Sequence, residues 1–316
     1  MNYLKHLGGE DDELQSIQDK LKQLQHKENL YAAIENLKFS ISTENTLRRM
    51  AHSQDDEKVL SWLGSNTAQN NHNTARKKHE PTTGNWFLQS ETFTQWSNAT
   101  KSSLWLYGKA GSGKTILCST IIERIIEICG SSNPADKCAY FYFDFQAKWN
   151  ADDMLRSIIV QFCASKREVP RELHHLHQEC LDGRRQPRKS SLLEILFSLL
   201  TTSSRTFVIL DALDECINRA DLLDTIEEIV KVSTKYLNVL VTSRKERDID
   251  KRLKTLFVYD VALEENVIDS DITLHIHECL KNDAELRTWD LETKNNIEQA
   301  LLKGAHGMYY YLNIER

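Results

Sequence analysis

Leu104-Trp-Leu-Tyr-Gly108-Lys109-Ala110-Gly111-Ser112-Gly113-Lys114-Thr115 decides how this chain is read. An apolar run suited to a strand stops at a glycine. A G-x-x-x-x-G-K-T string follows, and then the helix-forming run Ile116 to Ile128. That order has a chemical reason. Glycines let the backbone wrap tightly enough for its N–H groups to face one anion. The helix that follows points its positive end at the same place. In this pattern Gly108 to Thr115 cradle a polyphosphate, Lys114 bridges its outer phosphates, and the Thr115 hydroxyl ligates Mg²⁺. At the average protein's glycine content of about 7%, a chance match in a chain this long is on the order of 1%. An incidental lysine on a glycine-rich turn is correspondingly rare.

Downstream, apolar runs alternate with helical periodicity. Strands are expected at Cys138 to Phe145, Thr206 to Leu210, Leu237 to Thr242 and Thr255 to Val261. Helices are expected at Lys114 to Cys129, Ala151 to Ser165, Ser191 to Thr201 and Ala220 to Val232. Continuous apolar strands alternating with helices predict an α/β fold, a parallel sheet covered by helices on both faces.

Two of these strands end in chemistry. Phe207-Val-Ile-Leu-Asp211 is an apolar strand closed by a carboxylate suited to Mg²⁺. Asp214 and Glu215 follow it, and either could orient or deprotonate an attacking water; the longer Glu215 is favoured. The bland alternative is a helix N-cap with an acidic first turn. Leu237-Asn-Val-Leu-Val-Thr242-Ser243-Arg244 ends in polar groups, and Arg244 is placed either to touch the γ-phosphate or to sit in solvent. Ligands of open α/β sheets bind at the carboxyl ends of strands, where all three motifs fall.

Upstream, residues 1–63 read as a helical region. Leu14, Ile17, Leu21 and Leu24 form a stripe that resembles a coiled-coil seam, but Glu28 breaks it, so residues 10 to 40 read as a packed helical hairpin with the stripe as its packing face. A second helix is expected over Glu44 to Leu63. Residues 64–84 are polar and read as a linker, 85–263 as the nucleotide-binding domain, and 264–316 as a small helical domain with helices at Asp269 to Leu280 and Leu291 to Leu302.

Hydrophobic residues at 40% and charged residues at 27% are ordinary for a globular chain, and a net charge of −6 argues against general nucleic-acid binding. No apolar run reaches the roughly 18 residues of a membrane span. Seven cysteines without a tight spacing fit reduced thiols, which points to the cytoplasm.

On these motifs the chain resembles the NACHT subgroup of signal-transducing P-loop NTPases, particularly its large fungal members. Asp211-Ala-Leu-Asp214-Glu215 is similar to that family's extended acidic motif, and Thr242-Ser243-Arg244 to its sensor strand. Leu60-Ser-Trp62-Leu63 and Thr83-Gly84-Asn-Trp86-Phe87-Leu88 look like its lead-in. Asp271-Ile-Thr-Leu-His-Ile-His and Gly304-Ala-His-Gly307-Met308-Tyr309 look like its following helical segment. The resemblance implies a switch that is closed with diphosphate and open and self-associating with triphosphate. It also implies an N-terminal effector position at residues 1–60, and a role in fungal non-self recognition or cell death. Family members continue into a winged-helix region and sensing repeats where this sequence stops, so the chain is expected to be truncated relative to them. ATP is favoured over GTP because no N/T-K-x-D string follows.

Weaker features are given bland readings. His174, His175, His177 and Cys180, and likewise His275, His277 and Cys279, lack a second ligand pair for zinc and read as surface helix residues. Arg184, Arg185, Arg188 and Lys189 read as a solvated connection. Trp86, Phe87 and Trp96 either approach the nucleotide base or pack in the core. Two other functions compete with the hydrolysing switch: a non-hydrolysing nucleotide-binding scaffold, and a P-loop kinase, for which no acceptor site is visible.

Overall fold

The computed structural model describes residues 54–263, with short breaks at 65–66, 80–82, 134, 167–168, 202–203 and 233, together with 271, 273, 276 and 289–305. The chain divides into two units, Met1–Lys58 and Val59–Arg316. The first lies almost wholly outside the described residues, as do the helical hairpin expected at 10 to 40 and its leucine stripe. Of the helix expected over Glu44 to Leu63, only 54–63 is described, and it is helical.

The second unit is built on a five-stranded parallel sheet, in the order β2-β3-β4-β1-β5. Its strands are β1 (Ser102–Tyr107), β2 (Lys137–Tyr142), β3 (Thr206–Asp211), β4 (Leu237–Ser243) and β5 (Tyr259–Ala262). The helices in chain order are α1 (Thr67–Lys77), α2 (Asn85–Leu88), α3 (Glu91–Asn98), α4 (Lys114–Ser132), α5 (Ala151–Lys166), α6 (Arg171–Glu179), α7 (Lys189–Leu200), α8 (Arg219–Lys231), α9 (Arg247–Leu256) and α10 (Leu291–Ala305).

Strand residues alternate between the two faces, and both faces are apolar. Leu104, Leu106, Phe207, Ile209 and Leu240 join one buried cluster with Ile121, Ile122 and Ile125 of α4 and with Phe93 and Trp96 of α3. Trp105, Val208, Leu210, Val239 and Val241 join the other with Met154, Ile158 and Phe162 of α5, Leu196 of α7 and Ile226 of α8. Burying each such side chain contributes about 1.5–3 kcal/mol before entropy is counted. With both faces covered, period-2 alternation disappears and the strands read as unbroken apolar runs.

Two expectations change. The stretch read as a linker carries the helix α1. Its buried stripe is Ala68, His72 and Ala75, small and polar, so burial there rests on paired hydrogen bonds and not on apolar area. Tyr140 Oη donates to Gln69 Oε1 at 2.8 Å, and His72 Nε2 lies 2.7 Å from Glu123 Oε1 on α4. The strand expected over Thr255 to Val261 is split. Ile249 and Leu253 bury one face of α9, which carries Thr255 and Leu256 to its end, and β5 starts only at Tyr259. The last helix, expected at Leu291 to Leu302, spans Leu291–Ala305.

Candidate nucleotide-binding site

The site lies where β1, β3 and β4 reach their carboxyl ends. β4 runs between β1 and β3, pairing Leu106 with Thr242 on one side and Leu210 with Val241 on the other. This order sets a β4 hydroxyl between the glycine-rich loop and the Asp211 carboxylate. Thr242 Oγ1 donates to Asp211 Oδ1 at 2.5 Å and accepts from Ala212 N at 3.0 Å. From the loop side, Thr115 Oγ1 donates to Asp211 Oδ2 at 2.7 Å. Both carboxylate oxygens of a residue only 2% exposed are therefore fixed. Burial raises the Asp211 pKa, and the two threonine hydroxyls oppose that rise.

The loop is tied at both ends. Gly108 N donates to Ser243 O at 3.3 Å, and Leu117 N donates to Gly113 O at 2.9 Å as α4 begins. Gly111 and Gly113 have φ of 72° and 78°, a left-handed geometry that disfavours any side chain. Gly108 is needed for a different reason: a Cβ there would lie 2.7 Å from Ser112 Oγ and 3.1 Å from Leu263 Cβ. The Lys114 ammonium is folded into its own loop, donating to Gly108 O at 3.0 Å and Lys109 O at 2.7 Å. Burial lowers the Lys114 pKa, while Asp214 and Asp211 pull it back up.

After Asp211 the chain turns abruptly. Ala212 has φ 61°, an uncommon geometry for a residue with a Cβ, which costs roughly 1–2 kcal/mol. The buried Leu213 anchors the single 3-10 turn Leu213–Glu215 that follows. Asp214, whose side chain is 6% exposed, accepts from Arg244 N at 2.8 Å and pairs with Arg244 Nε at 3.0 Å. Glu215 accepts from Phe145 N at 3.2 Å. Its pKa is raised, first by burial and then by Asp214 and Asp211, while the Phe145 N–H works the other way.

A cleft of about 620 Å³ gathers these groups. It is lined by Ala110 to Thr115, Asp211, Asp214, Glu215 and Arg244, so most of the residues singled out from sequence share one cavity. Gly108 and Lys109 reach it through the Lys114 ammonium that they hold. Sequence reasoning missed one wall, formed by Asn71, Thr74, Ala75 and Lys78 of α1 and the residue after it. The spacing i, i+3, i+4, i+7 was the available signal, concealed by a composition that reads as loop.

The donor set suits Mg²⁺. One carboxylate and one hydroxyl, both hard oxygens 2.7 Å apart beside a phosphate loop, are what an ion that keeps waters and phosphate oxygens requires. Among the described residues no group of three or more His, Cys, Asp or Glu is arranged to hold a metal. His177 instead packs edge-on against Trp62, with ring centroids 5.0 Å apart. His275, His277 and Cys279 lie outside the described residues. In the basic stretch, Lys189 pairs with Asp221 at 2.5 Å and the Arg185 carbonyl accepts from Trp62. Phe87 and Trp96 are core residues, and Trp96 Nε1 donates to Val239 O. Trp86 differs. Its Nε1 donates to Asp271 Oδ2 at 3.1 Å, and it lines a small hollow beside Gly113, Ile116 and Leu263.

The fold and this cleft define a nucleotide-binding P-loop NTPase of the NACHT type. The chain belongs to the family described as Nephrocystin 3, N-terminal, whose model matches residues 82–244, just over half of its length. It is similar to the vegetative incompatibility protein HET-E-1 of Podospora anserina, at 29% identity over 182 residues, covering 54% of this chain and 13% of that protein. Among solved structures it is similar to Drosophila ORC bound to DNA, with a TM-score of 0.46, 15% identity, and coverage of 77% of this chain and 58% of that one. It is also similar to Cdc6p from Pyrobaculum aerophilum, with a TM-score of 0.41, 15% identity, and coverage of 62% and 49%. Among the described residues no helix is long and apolar enough to cross a membrane.

Proposed function

We propose that this chain is a nucleoside-triphosphate-hydrolysing switch that works with Mg²⁺ and ATP, GTP being the alternative nucleotide. The observation that supports the reading most is the Asp211 carboxylate, held at once by Thr115 of the phosphate loop and Thr242 of β4. In this reading Gly108 to Thr115 wrap the phosphates, and the Lys114 ammonium exchanges loop carbonyls for phosphate oxygens. Thr115 and Asp211 hold Mg²⁺, which neutralises charge on the phosphates. Glu215 orients or deprotonates the attacking water, its raised pKa suiting a proton acceptor. Arg244 leaves Asp214 to meet the γ-phosphate.

Self-association in the triphosphate form, an effector partner for the N-terminal helices and a cytoplasmic setting belong to the same proposal. So does a role in non-self recognition or cell death, an idea supported by the name of the Podospora relative. Phosphate release tests the catalytic part. Glu215→Gln is expected to keep nucleotide and lose about 10²-fold in turnover. Wild-type turnover in both Glu215→Gln and Asp214→Asn would overturn hydrolysis through these residues.

A second reading, a non-hydrolysing nucleotide-binding scaffold, is favoured by one observation. Asp214 and Arg244 already satisfy each other. In that case converting Asp214 and Glu215 together to amides leaves phosphate release unchanged, and gel filtration with and without nucleotide still reports assembly.

A further inference from the structure

The α1 helix is pinned to the nucleotide-binding core by one face and turned towards the cleft by another. On the pinned face, His72 Nδ1 lies 2.9 Å from Tyr142 Oη at the end of β2, and Nε2 lies 2.7 Å from Glu123 Oε1 on α4. A carboxylate only accepts, so Nε2 carries a proton. One turn on, Arg76 Nη1 donates to Thr120 Oγ1 of α4 at 3.2 Å. These bonds run to the helix that starts at the phosphate loop and to the strand paired with β3, so α1 is fastened to the elements that carry the site.

The second face is Asn71, Thr74, Ala75 and Lys78, at positions i, i+3, i+4 and i+7, and all four line the same cleft as Gly111 to Thr115. The C-terminal end of α1 presents partial negative charge, which opposes an anion. A cation at that end offsets it. Lys78 is exposed, and it makes no ion pair among the described residues. The other two cations of the cleft are engaged, Lys114 with loop carbonyls and Arg244 with Asp214.

From this juxtaposition we infer that α1 is the third wall of the nucleotide cleft and that Lys78 binds the terminal phosphate of a nucleoside triphosphate. The inference rests on the P-loop reading above and adds to it. A diphosphate held by Gly111 to Thr115 reaches less far, so Lys78 discriminates triphosphate from diphosphate. Asn71 and Thr74 are polar neighbours on the same face, able to donate to phosphate or ribose oxygens.

The test is calorimetric titration of the full chain with Mg²⁺–ATP and Mg²⁺–ADP, using wild type, Lys78→Ala, Lys78→Arg, Lys77→Ala and Lys114→Ala. Lys78→Ala is expected to weaken ATP about tenfold, the size of one charge-assisted hydrogen bond, and to leave ADP within about twofold. Lys78→Arg should recover most of the loss. Lys77→Ala, an exposed neighbour that does not line the cleft, should change neither nucleotide. Unchanged ATP binding in Lys78→Ala, with binding abolished in Lys114→Ala, would overturn the role of Lys78 and leave the P-loop reading standing. Equal losses of ATP and ADP in Lys78→Ala would overturn the discrimination. Failure of the wild type to bind either nucleotide would remove both readings.

Discussion

Arg244 binds Asp214 twice, through its backbone N–H at 2.8 Å and through its guanidinium Nε at 3.0 Å. The two contacts have different consequences. The backbone bond survives any substitution of Arg244 except proline, whereas the guanidinium bond does not. Because half of Arg244 is exposed, the ion pair is screened and its loss costs little, about 0.5–1 kcal/mol. Replacing Asp214 leaves an N–H without its acceptor and removes both bonds, so Asp214→Ala should cost about 1–3 kcal/mol. Thermal melts of the two variants check the order, and Arg244→Ala melting below Asp214→Ala would contradict it.

Thr242 joins two groups, the Asp211 carboxylate and the Ala212 N–H, through one hydroxyl. Thr242→Val keeps the shape but strips Asp211 of a donor and Ala212 N of its acceptor, both of them buried. A loss of about 2–4 kcal/mol is expected, with Thr242→Ser recovering most of it. Denaturant unfolding of the pair measures the difference.

Gly108→Ala tests close approach and not backbone freedom. The added methyl meets Ser112 Oγ at 2.7 Å, inside the loop that the Lys114 ammonium braces. We expect a folded protein whose affinity for Mg²⁺–ATP falls by at least about tenfold, on the order of 1.4 kcal/mol. Near-wild-type affinity would show that the loop can shift at little cost.

Alkali should destabilise the fold early. Burial pushes the Cys129 thiol up to about 11 from 9.0 and the Tyr140 phenol up to about 12 from 10.0. Both pKa values are raised on folding, so their contribution is intact below pH 9. It is lost as the pH climbs through the 9–12 window, where the unfolded chain ionises first. Unfolding free energy should therefore fall steadily above about pH 9. At pH 8 the thiolate fraction of folded Cys129 is on the order of 10⁻³, and its alkylation should be slow until denaturant is added.

The nucleotide-binding core was legible because its signals are local. The Gly108-to-Thr115 string sits between an apolar run and a helix former, and Phe207 to Asp211 and Leu237 to Arg244 each end an apolar run in polar groups. The order of the strands was not legible, since β4 lies between β3, which closely precedes it in sequence, and β1, which it pairs with across a long stretch of chain, Ser102 opposite Asn238. Nor was α1. A helix whose buried stripe is Ala68, His72 and Ala75 has no hydrophobic period, and its partners Glu123, Tyr140 and Tyr142 are known only once the sheet exists. The residues after Leu256 misled for a related reason: Phe257 and Val258 lengthen an apolar run across a helix end and a link. Asp214 and Glu215 were found by position, but their unlike settings, one paired with Arg244 and the other accepting from Phe145 N, depend on the turn at Ala212.

The most direct test of the nucleotide site is Mg²⁺-dependent binding of a fluorescent ATP analogue to the full chain and to Asp211→Asn. That variant is nearly isosteric but keeps an acceptor for only one of the Thr115 and Thr242 hydroxyls and turns a donor NH₂ to the other. The account predicts that wild type binds more tightly with Mg²⁺ than with EDTA and that Asp211→Asn loses this difference while still binding without metal. Equal Mg²⁺ enhancement in both proteins would contradict it.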